Sequence, residues 1–274
     1  MRLGPVTLQV ADLARSLAFY EGLLGLRVLT ETSGEASLGA ADGAALVSLR
    51  ERPGARPVSR RGRLGLYHAA LLLPDRASLG GFLRHVGASG LHLGMSDHLF
   101  SEALYLTDPD GLGLEVYADR PREGWPRQGD ELLSDSLPLD VPDLLAAATP
   151  YAGMPAGTRV GHVHFYVDDL FRAATFYESG LGFTPTIRSY PGALFVSAGG
   201  YHHHVGLNTW AAGAALAEPD DARLLEWRLG LPDQTALDDA LTRLARAGYG
   251  AERLETGDVL VADPWRTTVR LSLG

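Results

Sequence analysis

The chain has 274 residues, a formal net charge of −9, 46% hydrophobic residues and no cysteine. The negative charge argues against nucleic-acid binding through Lys and Arg. Without cysteine there are no disulfides, thiolate sites or cysteine nucleophiles, so any metal must be held by His, Asp, Glu or water. No segment reaches the roughly 20 apolar residues that span a bilayer, and no signal peptide is recognisable. We therefore expect a globular, cytoplasmic protein with no membrane or nucleic-acid partner.

A long-range repeat organises the chain. The segment 3–26, LGPVTLQVADLARSLAFYEGLLGL, recurs as 160–183, VGHVHFYVDDLFRAATFYESGLGF, with eleven of 24 positions identical. Each copy predicts an alternating strand, then a helix capped by Asp12 or Asp169. The helix is expected to end at Gly25 or Gly182.

A second pair of similar segments completes the repeat. Segments 66–91 and 224–250 share a Leu-Pro-Asp before a helix, and segments 106–117 and 261–272 share an Asp-Pro turn before a closing strand. Four βαβββ units are therefore predicted, at roughly 1–54, 62–120, 158–211 and 222–274. We expect an α+β fold with an N-terminal domain at 1–120, a linker at 121–157 and a C-terminal domain at 158–274, each domain containing two units.

A run of arginines lies between the first two units. Its members are Arg50, Arg52, Arg56, Arg60, Arg61 and Arg63. Because charged runs usually form solvated surface, we predict an exposed loop here.

The repeated ADLxRSLxFYxxxLGL pattern, the DPDGxGxExY turn and the four-unit layout resemble the vicinal oxygen chelate superfamily of glyoxalase I, bleomycin-resistance proteins and type I extradiol dioxygenases. The stretches SEALYLTDPDGLGLEVYADRP and GGYHHHVGLNTW are similar to two-domain bacterial catechol-2,3-dioxygenase-like proteins. The resemblance implies paired units that form two incomplete barrels. It also implies a divalent metal held inside a barrel, which in the dioxygenases is bound by two histidines and a carboxylate.

Three consecutive histidines, His202, His203 and His204, fall where the closing strand of the third unit is expected. Side chains alternate between the faces of a strand. We therefore predict that His202 and His204 face the barrel interior and that His203 faces outward.

The resemblance implies metal ligands on the first and last strands of the units. In the second half these positions match His162, Glu226 and Arg270. We predict a metal site formed by His162, His204 and Glu226, with His202 as an alternative to His204. Arg270 stands where the superfamily often has glutamate, which disfavours a metal beside it.

The first half offers a second candidate metal site. His68 and Glu115 match two ligand positions, whereas Pro5 stands at the third and cannot coordinate a metal. His98 is a candidate replacement for the missing ligand.

Together with these residues, the resemblance implies a metal-dependent, extradiol-type ring-cleaving dioxygenase that acts on a catechol-like aromatic. Fe(II) is the expected metal, with Mn(II), Zn(II) and Ni(II) as alternatives, and His164 or Tyr166 is the expected acid–base group. Two alternatives stay open: a glyoxalase-type metal-dependent isomerase or lyase, and a non-catalytic binder of small ligands like the bleomycin-resistance proteins. A homodimer is compatible with this fold.

Overall fold

The computed structural model describes residues 1–274, and it contains the four predicted βαβββ units. The first unit comprises β1 (Arg2–Val10), α1 (Leu13–Leu17), β2 (Arg27–Thr32), β3 (Glu35–Gly39) and β4 (Ala45–Glu51). The second comprises β5 (Arg63–Leu72), α2 (Arg76–Gly87), β6 (Gly94–Asp97), β7 (Ser101–Thr107) and β8 (Gly113–Asp119). The connecting segment holds a 3-10 turn (Arg122–Gly124), β9 (Arg127–Gln128), β10 (Glu131–Leu132) and α3 (Val141–Ala146).

The second half repeats this order. The third unit comprises β11 (Arg159–Tyr166), α4 (Leu170–Ala174), β12 (Thr184–Ile187), β13 (Ala193–Ser197) and β14 (Val205–Asn208). After the short β15 (Ala215–Leu216), the fourth comprises β16 (Arg223–Leu231), α5 (Gln234–Arg246), β17 (Glu252–Arg253), β18 (Val259–Ala262) and β19 (Thr268–Leu273). None of the helices has the length and apolar character needed to cross a membrane.

The first helix of each half begins and ends where the sequence predicts. Asp12 caps α1 by accepting a hydrogen bond from the Arg15 backbone N–H at 2.9 Å, and Asp169 caps α4 in the same way. Each helix widens into a π-helical segment, at Ala18–Leu23 and at Thr175–Gly180. Gly25 and Gly182, with φ of 72° and 86°, then turn the chain, a conformation that glycine adopts without strain.

The strands form two large sheets that join units from opposite halves of the chain. One sheet has the order β17-β18-β19-β16-β1-β4-β3-β2, and the other has the order β12-β13-β14-β11-β5-β8-β7-β6. The first unit therefore pairs with the fourth, and the second with the third, through the antiparallel contacts β1–β16 and β5–β11. The α+β class with two half-barrels is confirmed. We expected neighbouring units to pair with each other, within 1–120 and within 158–274. In the structure, the first strand of each unit instead pairs with a first strand from the other half of the chain.

Neighbouring units are instead held together by buried tyrosines. Tyr20 of the first unit donates a hydrogen bond to Asp108 of the second at 3.1 Å, and Tyr177 of the third donates to Asp263 of the fourth at 2.8 Å. Burial raises the pKa of both aspartates to about 6. The same carboxylates accept backbone N–H groups of their own turns, so both Asp-Pro turns are structural, as the sequence predicts.

The alternation of β11 separates the core from the candidate site. Val163 and Phe165 face a hydrophobic core of 59 buried residues that extends across both sheets. In this core the ring centroid of Phe165, from one sheet, lies 6.4 Å from that of Trp227, from the other sheet. His162 and His164 occupy the other face, which is the concave face of the sheet formed by the second and third units.

Candidate metal centre

Three buried side chains with metal-binding atoms converge where β5, β8 and β11 lie side by side. The Nε2 atoms of His68 and His162 lie 3.0 and 3.2 Å from Oε2 of Glu115. The same Nε2 atoms lie 3.3 Å from each other, and the ligand atoms of all three residues fall within 4.8 Å of one another. Two imidazoles and one carboxylate at this spacing match the donor set that holds a divalent metal while leaving coordination positions open.

The charges of the three residues suit metal binding. Burial lowers the pKa of His162 to about 4, although Glu115 opposes this shift. Burial would raise the pKa of Glu115, but His162 and His68 outweigh it and hold that pKa well below its ordinary value. Glu115 is therefore ionised beside a neutral imidazole, and these are the protonation states in which carboxylates and histidines bind metals.

The second nitrogens of the two histidines provide a further test of fit. Nδ1 of His68 and Nδ1 of His162 are both buried without a hydrogen-bond partner. The polar contacts of both rings are therefore made through Nε2, and both are directed at the same carboxylate oxygen of Glu115. A divalent cation among these three atoms would be coordinated by all of them, so the residues present fit a metal.

Two irregularities in the β5–β11 ladder shape this region. Pairing passes from His164↔His68 to Phe165↔Leu66, which leaves Tyr67 as an extra residue. Such a bulge changes the direction of side chains, and here the consecutive Tyr67 and His68 both reach the cavity with ring centroids 4.5 Å apart.

The second irregularity lies at Gly161, immediately before His162. A Cβ atom at Gly161 would lie 1.9 Å from the hydroxyl oxygen of Tyr117, so only glycine fits here without rearrangement.

The candidate metal centre lies on the wall of a cavity of about 490 Å³. This volume suits a substituted aromatic ring. Several aromatic side chains contribute to the lining, among them Tyr67, Tyr105, Tyr166, Tyr190, Phe195 and Trp210. Glu115 is the only carboxylate in the lining.

The three consecutive histidines precede β14 and lie in the loop that leads into it. His202 and His203 are buried, and His203 lines the cavity with its ring centroid 4.2 Å from that of His162. His204 instead accepts a hydrogen bond through Nδ1 from the Ala198 N–H at 3.2 Å. The prediction that His202 and His204 face inward and His203 outward is wrong, because the loop lacks the two-residue alternation of a strand.

A hydrogen-bonded chain supports His203 from behind. Nε2 of His202 lies 3.0 Å from Oδ1 of Asp119, and Nδ1 of His202 lies 2.7 Å from Nδ1 of His203. Burial lowers the pKa of His202 and that of His203, so both rings are neutral near pH 7.

The predicted metal site of His162, His204 and Glu226 is not assembled. Glu226 lies on β16 in the other sheet, where Arg270 donates two hydrogen bonds to it at 2.6 and 3.0 Å. His204 points away from the cavity toward Ser197, whose Oγ lies 2.9 Å from its Nδ1. His202, the alternative to His204, is engaged by Asp119 and His203 as described above.

The missing ligand of the second candidate site is His162. His68 and Glu115, predicted as an incomplete pair, meet His162 because their unit shares a sheet with the third unit. The sequence contains a signal for this set. In the second and third units, the positions matched to metal ligands of the superfamily carry His68, Glu115 and His162, all of which can bind a metal. Pro5 and Arg270, which cannot serve, belong to the first and fourth units.

The other predicted residues line the same cavity at different depths. His98 contacts the Tyr105 hydroxyl and the Asp135 carbonyl, each at 2.7 Å, and is not part of the metal-binding set. The ring centroid of His164 lies 5.0 Å from that of His68. The Tyr166 ring centroid lies 4.7 Å from that of Tyr67, and burial raises the pKa of Tyr166 to about 12.

Sequence reasoning did not identify Tyr105 or Tyr67 as parts of the site. Tyr105, on β7, lies with its ring centroid 5.5 Å from that of His68. Burial raises its pKa well above the ordinary value, and Glu115 adds to the effect. Its place three residues before Asp108 of the Asp-Pro turn gives no chemical signal, and the bulge that turns Tyr67 inward has no local sequence mark.

Comparison with known proteins agrees with these features. A model of the Glyoxalase/Bleomycin resistance protein/Dioxygenase superfamily matches residues 2–116 and 159–260. A Bacillus subtilis (strain 168) protein named catechol-2,3-dioxygenase is 42% identical over 269 residues, covering 96% of this chain and 93% of that protein.

Solved structures show the same fold at lower identity. A Bacillus subtilis structure described as a candidate dioxygenase has a TM-score of 0.69 and 14% identity, covering 100% of this chain and 85% of that one. Glyoxalase I from Zea mays has a TM-score of 0.59 and 15% identity, covering 98% and 91%.

Proposed function

Since the chain belongs to the Glyoxalase/Bleomycin resistance protein/Dioxygenase superfamily, we propose that it is a metal-dependent extradiol-type dioxygenase acting on a catechol-like aromatic. One observation carries the proposal: His68, His162 and Glu115 converge on the wall of an aromatic cavity. The 42% identical relative, named catechol-2,3-dioxygenase, supports the same activity. A glyoxalase-type isomerase and a non-catalytic binder of small ligands are the alternatives that the experiment distinguishes from it.

We assign the metal to His68, His162 and Glu115, and Fe(II) is the proposed ion. When bound, it would supply a Lewis acid that favours ionisation of a catechol hydroxyl. The chain contributes the rest of the chemistry through the side chains that surround the candidate metal centre.

His203 is the proposed base that removes a proton from a catechol hydroxyl. Asp119, a carboxylate, accepts from Nε2–H of His202, which leaves Nδ1 of His202 as an acceptor. Nδ1 of His203 must then carry the proton in the 2.7 Å contact between the two rings. The Nε2 atom of His203 is left with a free lone pair at the cavity, as a general base requires.

His164 is fixed as a hydrogen-bond donor by a similar argument. The Trp210 backbone N–H donates to Oδ1 of Asn208 at 3.0 Å, so the amide nitrogen of Asn208 faces His164. That amide donates to Nε2 of His164 at 3.0 Å, which places the His164 proton on Nδ1. His164 is therefore available to donate a hydrogen bond through Nδ1–H to an oxygen in the cavity. Tyr166, the other predicted acid–base residue, lies beside Tyr67, with the two ring centroids 4.7 Å apart.

The test is ring cleavage by the Fe(II)-loaded enzyme. The protein is loaded under argon and mixed with a panel of catechols, and dioxygen is then admitted. We expect a coloured ring-opened aldehyde–acid that contains both atoms of ¹⁸O-labelled dioxygen.

The other outcomes separate the alternative activities. Isomerisation of a hemithioacetal without oxygen uptake would support a glyoxalase-type enzyme. Tight binding of catechols with no product from any of them, in metal-loaded protein, would support a small-ligand binder. Either result contradicts the proposed dioxygenase.

A further inference from the structure

We infer that Arg60 determines substrate specificity by pairing with an acidic group on the aromatic substrate, so the enzyme prefers catechols that carry a carboxylate. This inference rests on the proposed function, because it concerns the substrate of the same cavity. It follows from which arginines are neutralised, from the charges in the cavity and from the position of Arg60.

Four of the six arginines in the loop before β5 and at the strand ends that flank it are paired with carboxylates. Arg56 and Arg63 both bind Asp221, at 2.8 and 2.7 Å, and Arg52 binds Asp220. Arg60 has no carboxylate within salt-bridge distance, although it lies in the same loop and lines the cavity. The predicted solvated loop is therefore largely a set of ion pairs, and Arg60 is the cation that it leaves free at the cavity.

The cavity lining offers no carboxylate that is free to pair with Arg60. Glu115 is the only carboxylate in the lining, and it belongs to the metal-binding set. An anionic group on a ligand is therefore the missing partner for Arg60, even though the whole chain carries a net charge of −9.

The position of Arg60 suits a substituent on a ring held at the metal centre. Arg60 lines the cavity together with Tyr67 and Tyr166, and the electrostatic influence of Tyr67, followed by that of Tyr166, raises the pKa of Arg60. The Tyr67 ring in turn lies with its centroid 4.5 Å from that of His68. One aromatic side chain thus separates Arg60 from a metal ligand, a separation that a carboxylate on a short arm of the substrate can span.

Arginine suits this role because its planar guanidinium offers parallel N–H donors to both oxygens of a carboxylate. Arg60 is an exposed residue of the cavity lining, so its guanidinium is accessible to a ligand that enters the cavity. Because solvent weakens an exposed ion pair, we expect a contribution of about tenfold in kcat/KM, the lower end for a charged hydrogen bond.

The experiment uses Arg60→Gln as the variant and compares three catechols whose substituents at the same ring position differ in charge. The probes are 3,4-dihydroxyphenylacetate, neutral 4-methylcatechol and cationic dopamine. The wild-type enzyme should prefer the acid, and Arg60→Gln should lower kcat/KM for the acid by about tenfold while changing 4-methylcatechol by less than about twofold. Dopamine turnover should improve in the variant.

Arg61→Gln is the matched control. Arg61 is the adjacent residue and is also exposed, but it does not line the cavity. The Arg61→Gln variant should leave the ratio of kcat/KM for the acid to kcat/KM for 4-methylcatechol unchanged. Equal losses for the acid and for 4-methylcatechol in Arg60→Gln, or the same selective loss in Arg61→Gln, would overturn the inference.

Binding without turnover separates this inference from the proposed function. The affinity of the metal-loaded protein for 3,4-dihydroxyphenylacetate and 4-methylcatechol is measured by calorimetry under argon. If no catechol is cleaved but Arg60→Gln still removes a binding preference for the acid, the proposed function fails and the anion site stands. If catechols are cleaved and neither turnover nor binding favours the acid, the dioxygenase stands and the role of Arg60 is wrong.

Discussion

Arg270 donates two hydrogen bonds to Glu226, at 2.6 and 3.0 Å, across the two strands that correspond in the repeat to those carrying His68 and Glu115. Asp258 contacts the same guanidinium at 3.3 Å, and Pro5 stands where His162 stands in the other half-barrel. One half-barrel thus has an ion pair where the other has a candidate metal centre. The duplicated units share a fold but not a chemistry.

We expect the substitution Glu226→Gln to affect stability and not metal binding. It removes the charge that Arg270 faces, and both side chains are about one-fifth exposed. The loss should be about 1 kcal/mol in the free energy of unfolding, since solvent and Asp258 partly compensate Arg270. Urea denaturation and metal analysis of the same samples check this. A loss of bound metal would contradict the division of roles between the two half-barrels.

Gly161→Ala should disturb the metal centre through Tyr117. The added Cβ would lie 1.9 Å from the Tyr117 hydroxyl oxygen, so the Tyr117 ring or the strand before His162 must move. We expect a stability loss of about 1 to 3 kcal/mol from overpacking, together with weaker metal binding. Gly87→Ala, at the end of α2 with no atom within 4 Å of the added Cβ, is the control and should be neutral or slightly stabilising. Unchanged metal affinity in Gly161→Ala would show that this bulge does not position His162.

Asp119→Asn should lower kcat with little change in KM. The carboxylate obliges Nε2 of His202 to carry a proton, whereas an amide can present either a donor or an acceptor. The tautomer of His203 would then no longer be fixed, and we expect kcat to fall by about 10- to 100-fold. Nitrogen-15 NMR of labelled histidine would report the tautomer directly. Tyr201→Phe, which removes a hydroxyl 3.3 Å from Asp119, should have a much smaller effect.

The stability of the metal-free protein should fall in mildly acidic solution, partly because of His204. Burial lowers the pKa of His204 to about 4, below its value in the unfolded chain, so the folded state resists protonation. The contribution of neutral His204 to the free energy of unfolding is complete above about pH 6.5 and is lost as the pH falls through about 4. We expect this contribution to be roughly 2 kcal/mol, after allowing for the partial exposure of His204.

His204→Gln should therefore reduce the slope of stability against pH between about 6.5 and 4. His92→Gln, a change at an exposed histidine, is the control. Denaturation curves at several pH values measure both variants. An unchanged slope in His204→Gln would contradict the role assigned to this residue.

The repeat in the sequence predicts the four units and their order, because capping aspartates, glycine stops and strand alternation are local features. It does not predict which units share a sheet. The antiparallel pairing of β5 with β11 joins strands about 100 residues apart, and the first strands of all four units present similar backbone edges. This pairing decides that His162 meets His68 and Glu115 and does not meet Glu226.

The sequence did not predict that His203 and Tyr67 reach the cavity, because a loop and a bulge determine the orientation of these side chains. His203 reaches the cavity because the histidines lie in a loop, where strand alternation does not apply. Tyr67 reaches it because a bulge adds one residue to β5. Neither a loop start nor a bulge is marked by the amino-acid pattern, since both depend on contacts with distant strands.

The most direct test of the central claim is the metal content of untagged protein after loading with Fe(II) under argon and desalting. We expect about one metal ion per chain for a single three-ligand site in the wild-type protein and in Glu226→Gln. His68→Ala, His162→Ala and Glu115→Ala should each bind little metal while keeping a native circular dichroism spectrum. Retention of stoichiometric metal by a folded His162→Ala, or its loss from Glu226→Gln alone, would contradict a metal centre formed by His68, Glu115 and His162.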